Sequence, residues 1–153
     1  FDLMRCLFRS DIRAVQGTSI NTSWNWNKGD ATIMAQLELE SGLYINYFAS
    51  WVASGAETPW NADWRIECER GAILWENDRL WLSDAPDKRR RVRLVKMAKT
   101  HQAYLLEAFS KALNDGSEPE TSGRLNLNSL ASTYAAVQAV KEGRRIQVSE
   151  LLQ

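Results

Sequence analysis

Residues Asp30–Trp51 read DATIMAQLELESGLYINYFASW, and the fold turns on how this stretch is read. Two apolar runs, Ala31–Leu39 and Leu43–Trp51, flank Glu40-Ser41-Gly42-Leu43. The first run alternates, with Ile33, Ala35, Leu37 and Leu39 on one side and Thr32, Met34, Gln36 and Glu38 on the other. Period-two alternation closed by a Ser-Gly turn predicts a β-hairpin. The second arm carries Tyr44, Ile45, Tyr47, Phe48 and Trp51, so large residues fall on both faces and both faces are expected to be covered. In a short chain, that implies helices on one side and another protein surface on the other.

Working outward from the hairpin, the N-terminal side holds Phe1, Leu3, Met4, Leu7 and Phe8 at helical spacing, then a strand over Ile12–Ile20. The chain starts in mid-helix pattern at Phe1 without an initiator Met and is expected to be a fragment. Asn21–Gly29 (NTSWNWNKG) is polar and turn-rich, with Trp24 and Trp26 two apart. On the other side, Val52–Asn61 carries Gly55 and Pro59 and predicts a loop. Ala62–Glu69, Ala72–Trp75 and Arg79–Leu82 then predict a meander of short antiparallel strands. A proline loop at Ala85–Asp87 precedes the charge run Lys88–Arg91, which is expected to be a solvated loop face, although it could grip a phosphate.

The last third changes period. Tyr104, Leu105, Ala108, Phe109, Ala112 and Leu113 form a helical stripe closed by Asn114-Asp115-Gly116. A second helix over Asn126–Glu142, striped by Leu127, Leu130, Ala131, Tyr134, Ala135 and Ala139, stops at Gly143, and Arg145–Val148 reads as an edge strand. The order predicts an α+β fold: an open, predominantly antiparallel β-sheet of six to eight strands with helices packed on one face and the other face available for dimerisation.

Composition excludes several function classes. With 153 residues, 44% hydrophobic and 25% charged, the chain is long enough for a real core and is not a disordered one. Nineteen basic and nineteen acidic residues cancel, so nothing calls for nucleic acid or an anionic membrane. No apolar run reaches membrane-span length, no secretory signal opens the chain, and Cys6 and Cys68 are expected to be reduced thiols in apolar settings. A cytoplasmic location follows as an expectation.

Chemistry-bearing patterns are sparse. One His, no paired-Cys motif and no Gly-rich phosphate loop leave metal sites and His-based acid–base catalysis poorly provided for. His101 reads as a surface residue at a helix start. Asp30, Glu38, Glu40, Asp63, Glu67 and Glu69 include no motif-spaced pair, so no catalytic, metal or cofactor residue is assigned. Seven Trp residues stand out, at positions 24, 26, 51, 60, 64, 75 and 81. They read either as core and interface or as a sugar-stacking platform. Trp24, Trp26 and Trp60, in predicted polar loops with Asn25, are the ligand-facing candidates.

A resemblance runs through the whole chain. Its residues are Phe1-Asp2-Leu3-Met4-Arg5; Asp30-Ala31 opening a strand that ends at Glu40-Ser41-Gly42; Ala49-Ser50-Trp51; and Arg65–Leu74 (RIECERGAIL). Leu106–Phe109, Gly116–Pro119, Ser122–Arg124, Ala135–Val140 and Glu142–Ile146 follow in order. In these pieces the chain resembles the C-terminal domain of the Gfo/Idh/MocA family of NAD(P)-dependent oxidoreductases, with a glyceraldehyde-3-phosphate dehydrogenase-like C-terminal fold. The resemblance implies a single substrate-binding and dimerising domain over residues 1–153, with the dinucleotide-binding domain and the family's Glu-Lys-Pro and Asp-x-x-x-His motifs upstream of residue 1. It implies NAD(P) and a sugar or cyclitol substrate for the parent protein, a pocket shaped by Trp24, Asn25, Trp26 and Trp60, a homo-oligomer through the open sheet face, and no turnover by this piece alone. Alternatives are a natural or engineered sheet-mediated homodimer, or a Trp-based carbohydrate-binding domain. Three departures from the family pattern are Leu125 in place of an acidic residue at the last helix start, Ser132-Thr133 in mid-helix, and Cys6 in place of an aromatic. Loss of the acid predicts a weakened cap.

Overall fold

The backbone ladder of the central hairpin fixes the first of two units. In the computed structural model, which describes residues 1–86 and 88–152, the chain divides into unit 1 (Phe1–Val52 with Phe109–Gln153) and unit 2 (Ala53–Ala108). Among the described residues there are eight strands, all pairing antiparallel, but they lie in two open four-stranded sheets rather than one. The Gly- and Pro-bearing loop between the third and fourth strands is where one sheet ends and the other begins.

In unit 1, helix α1 (Asp2–Phe8) leads into β1 (Ile12–Ile20), β2 (Thr32–Leu39) and β3 (Tyr44–Ser50), and the short β8 (Ile146–Gln147) completes the order β3-β2-β1-β8. Gly42 takes φ 82° in the hairpin turn, a conformation that glycine reaches without strain. A bulge at Arg13 lets Ile12 pair with Leu39 and Ala14 with Glu38. Ile12, Ala14, Val15, Leu37, Leu39 and Ile146 are then all buried. Helix α3 (Gly123–Glu142) packs across β1, and α1 rests on α3. Arg5 of α1 clasps this joint: its guanidinium donates to Ser129 Oγ at 2.8 Å and to Asp11 Oδ1, while Ser129 donates to Asp2 at 2.9 Å.

The sheet-facing stripe of α3 differs from the expected one. Ala131, Ser132, Ala135, Ala136 and Ala139 are buried, while Leu127, Leu130 and Tyr134 are exposed. Small residues let the helix approach β1 closely, so the larger side chains are turned outward. Ser132-Thr133 thereby loses its anomaly. Ser132 Oγ bonds Asn128 Oδ1 at 3.4 Å, and Thr133 Oγ1 bonds back to the Ser129 carbonyl at 2.9 Å. The helix start is also capped despite Leu125, because Ser122 Oγ accepts from the Leu125 amide at 3.2 Å. A 3₁₀ turn (Val148–Leu151) ends the described chain.

Helix α2 (His101–Asp115) crosses the division between units and buries none of its residues. The expectation that the Tyr104–Leu113 stripe packs against the sheet is therefore corrected: Tyr104, Leu105, Phe109 and Leu113 are exposed. The helix stops at Gly116, whose amide bonds the Ala112 carbonyl at 3.0 Å and whose φ is 71°. His101 lies exposed at its start. Cys6 and Cys68 are free and exposed, not in apolar settings.

Unit 2 is a meander, β4 (Trp64–Cys68), β5 (Gly71–Glu76), β6 (Arg79–Ala85) and β7 (Lys88–Val92), in that spatial order. Asn77 and Asp78 both adopt left-handed φ (50° and 56°), the two-residue turn whose twist suits a hairpin. The Lys88–Arg91 run is exposed as expected, but it forms strand β7 rather than a loop. Pairing to β6 organises it, and Arg89 lays its guanidinium 4.6 Å from the Trp81 ring centre while bonding Glu76 at 2.9 Å. Asp87, part of the expected proline loop, lies outside the described residues.

Candidate functional site

The β1–β2 loop, Asn21–Gly29 with Asp30 after it, is organised by Asn25. Its amide nitrogen donates to Asn21 Oδ1 and to the Gly29 carbonyl, each at 2.7 Å. Its Oδ1 accepts from the Asn27 backbone at 2.8 Å and from Asn27 Nδ2 at 3.0 Å. Both donors and both lone pairs of the carboxamide are thus committed inside the loop. Asn25 is a strut that holds the two neighbouring indoles. At the base of the loop Ser19 and Asp30 are hydrogen-bonded to each other.

Trp24 donates its indole N–H to the Val52 carbonyl at 2.8 Å, which ties the loop to the chain leaving β3 while 62% of the residue stays exposed. Trp26 is 82% exposed. An indole anchored by its N–H and open on its ring is a flat apolar plate set in polar surroundings, the arrangement that stacks on a sugar face. Trp60 belongs to unit 2. It stands 95% exposed in the turn before β4, where Ala62 N bonds the Pro59 carbonyl and Trp64 Nε1 bonds the Asn61 carbonyl. The structure therefore brings Trp24, Asn25 and Trp26 together on one loop and sets Trp60 in the other unit.

Unit 1 also presents, among the described residues, a sheet face that is largely exposed. The register aligns Thr18, Met34 and Phe48 in one row, Gln16, Gln36 and Asn46 in the next, and Ile20, Thr32 and Ser50 in a third. Phe48 is 68% and Tyr44 61% exposed, and Met34 and Ile20 are open as well. Thr32 and Ser50 hydroxyls bond at 2.7 Å and Gln36 bonds Asn46 at 3.4 Å, so the polar members of the face are paired among themselves. At its β8 end Glu38 lies buried between Arg13, 3.2 Å away, and Arg145. The β3 strand is thus half-covered on the helix side, where Tyr47 meets Phe1 edge-to-face at 5.4 Å, and uncovered on the other. Burial pushes the Tyr47 phenol upward from its ordinary pKa. An open sheet face is expected from the two-sided apolar pattern of β3, but which residues share its rows is set by register, which no single strand displays.

Among the described residues, no group of three or more His, Cys, Asp or Glu side chains is placed to hold a metal ion. No helix is long and apolar enough to cross a membrane.

No family model matches the sequence. A relative, the uncharacterised protein y4oX of Sinorhizobium fredii, is 24% identical over 163 aligned residues, covering 99% of this chain and 45% of the relative. Among solved structures, the aldose-aldose oxidoreductase from Caulobacter crescentus complexed with glycerol superposes with a TM-score of 0.80 at 17% identity, over 95% of this chain and 44% of that one. An oxidoreductase from Agrobacterium radiobacter in complex with NAD+, L-tartaric acid and magnesium superposes with a TM-score of 0.78 at 18% identity, over 98% of this chain and 47% of that one. The chain spans less than half the length of the relatives it matches. It has the fold of the C-terminal half of Gfo/Idh/MocA-type oxidoreductases, the family its sequence resembles.

Proposed function

We propose that this chain is the C-terminal substrate-binding and oligomerising domain of a cytoplasmic NAD(P)-dependent oxidoreductase acting on a sugar or cyclitol. The observation that carries the reading is the fold shared over 95% of the chain with an aldose-aldose oxidoreductase. The NAD+-bound structure of similar fold supports a nicotinamide cofactor for the parent protein. In the parent, a substrate C–H would pass its hydride to the oxidised nicotinamide while the hydroxyl on the same carbon loses its proton to a base, leaving a ketone and reduced cofactor. Neither that base nor a cofactor site is assigned to residues of this chain. Its contribution is the pocket: the anchored indole of Trp24, the free indole of Trp26 and the strut Asn25, with Trp60 as the further candidate. This reading gives the parent protein a separate dinucleotide-binding domain. The open face bearing Phe48 and Tyr44 is assigned to a second copy of the chain, because aromatic rings flanked by self-paired polar groups suit a homodimer surface.

Intrinsic Trp fluorescence titrated with monosaccharides tests the pocket. The expected result is a saturable shift that a Trp24→Ala, Trp26→Ala double variant loses, and no shift at millimolar sugar overturns the assignment. Calorimetry with NADH is expected to give no heat of binding. A measurable NADH affinity overturns the division of labour between the two domains.

A further inference from the structure

Unit 2 carries a second feature, independent of the sugar reading. Register pairs Trp81 with Arg91 and Leu80 with Val92, so Arg79 and Trp81 on β6 share a face with Arg89 and Arg91 on β7. Arg79, Arg91 and Arg93 all line one open cavity of about 390 Å³, together with Asp78, Leu80, Val92 and Leu94. The acids of this face are already taken. Glu67 bonds Arg65 at 2.5 Å, and Glu76 bonds Arg89, which is also stacked on Trp81. Asp78 accepts from Asn61 Nδ2 at 3.2 Å. Among the described residues, no carboxylate forms an ion pair with Arg79, Arg91 or Arg93.

We propose that Arg79, Arg91 and Arg93 form a binding site for the phosphoryl group of a small-molecule ligand. Three like charges around one cavity repel one another, and an anion entering it relieves that repulsion. A guanidinium offers planar pairs of N–H donors that match two phosphate oxygens at once. Three such forks against a single carboxylate favour a dianion over a carboxylate ligand. A nucleic acid fits less well, because the cations line a single cavity instead of tracking a groove, and the whole chain is neutral. The phosphoryl group could belong to a nucleotide or to a sugar phosphate, and both present the same oxygens to the three arginines.

Calorimetric titration of the full chain with inorganic pyrophosphate, UDP and glucose 6-phosphate, at constant ionic strength, tests the site. The expected result is one saturable site for at least one probe, weakened about tenfold or more by Arg91→Ala and still clearly weakened by Arg91→Lys, which keeps the charge and loses the fork. Arg90→Ala is expected to leave it unchanged, because Arg90 is not among the residues that line the cavity. Tighter binding of UDP than of glucose 6-phosphate supports a nucleotide source, and the reverse order supports a sugar phosphate. No saturable binding of any probe overturns the proposal, as does equal weakening by Arg90→Ala and Arg91→Ala, the mark of diffuse charge. All three arginines are exposed, so the variants keep the fold, and circular dichroism checks this.

Discussion

Asn128 grips Ile12 by both backbone groups, its Oδ1 accepting from the Ile12 amide at 3.0 Å and its Nδ2 donating to the Ile12 carbonyl at 3.1 Å. Strand β8 pairs only with Ala14 and Val15, so the carboxamide stands in for a neighbouring strand at Ile12. Ser132, fully buried one turn on, holds the same side chain. Asn128→Ala leaves an unpaired amide and carbonyl in a buried place and is expected to cost about 2–3 kcal/mol. Asn128→Asp keeps the acceptor but sets a carboxylate against the Ile12 carbonyl, and is expected to cost at least as much. Urea denaturation of both variants checks this, and a midpoint unchanged in Asn128→Ala contradicts it.

Gly71 cannot carry a side chain. A Cβ there would lie 2.1 Å from the Ser83 carbonyl oxygen, and φ is 139°. Gly71→Ala must push β6 away from β5 as well as strain the turn, with an expected cost of about 2–3 kcal/mol. Gly42→Ala meets open space at φ 82° and is expected to cost only about 1 kcal/mol. Hydrogen exchange separates the two, because the first is expected to deprotect β5 and β6 amides and the second to leave them protected.

Arg144 sits between two acids, with Glu142 at 2.6 Å and Glu150 at 2.9 Å. Glu142 is held below its ordinary value first by the Gln138 amide and then by Arg144, and Glu150 first by Arg144 and then by the Gln147 amide. A carboxyl whose folded pKa is depressed contributes stability above its unfolded value, here 4.5, and loses it as pH falls through the folded value. The melting temperature is therefore expected to fall as pH drops below 4.5, and Arg144→Ala is expected to flatten that limb. In an NMR titration, Glu150 of the variant is expected to move up toward 4.5, whereas an unmoved midpoint denies Arg144 its role.

Much of the fold can be read directly from residue order. Strand β1 spans Ile12–Ile20 as its pattern predicts, and the Ser-Gly turn closes the β2–β3 hairpin where expected. The face that α3 turns to the sheet is not readable this way. Its sequence offers two overlapping stripes, Leu127-Leu130-Tyr134 and Ala131-Ala135-Ala139. The choice between them falls to Asn128, whose partner Ile12 is 116 residues distant in sequence, and to Ser132, which bonds Asn128. The Lys88–Arg91 run misleads for a related reason. Charge density predicts solvent exposure, which Lys88–Arg91 keep, but the backbone pairing to β6 that makes the run a strand and not a loop is non-local. At the candidate loop, the Trp spacing points to Trp24 and Trp26, but the commitment of all four Asn25 side-chain hydrogen bonds within the loop emerges only once the loop closes on Gly29.

Phe48 offers the test of what the open sheet face is for. It projects from β3 in the row with Met34 and Thr18, and its 68% exposure means that it does not support the monomer's core. Phe48→Glu is therefore expected to change the unfolding midpoint by less than about 0.5 kcal/mol in free energy when both forms are monomeric. If a second copy covers this face, the substitution buries an unpaired carboxylate opposite its own symmetry mate, and light scattering is expected to show the dimer replaced by a monomer. Phe48→Leu, which keeps an apolar contact, is expected to retain the dimer at high concentration. A wild-type chain that scatters as a monomer at high concentration, or a Phe48→Glu variant that remains a dimer, removes the open face from the oligomer.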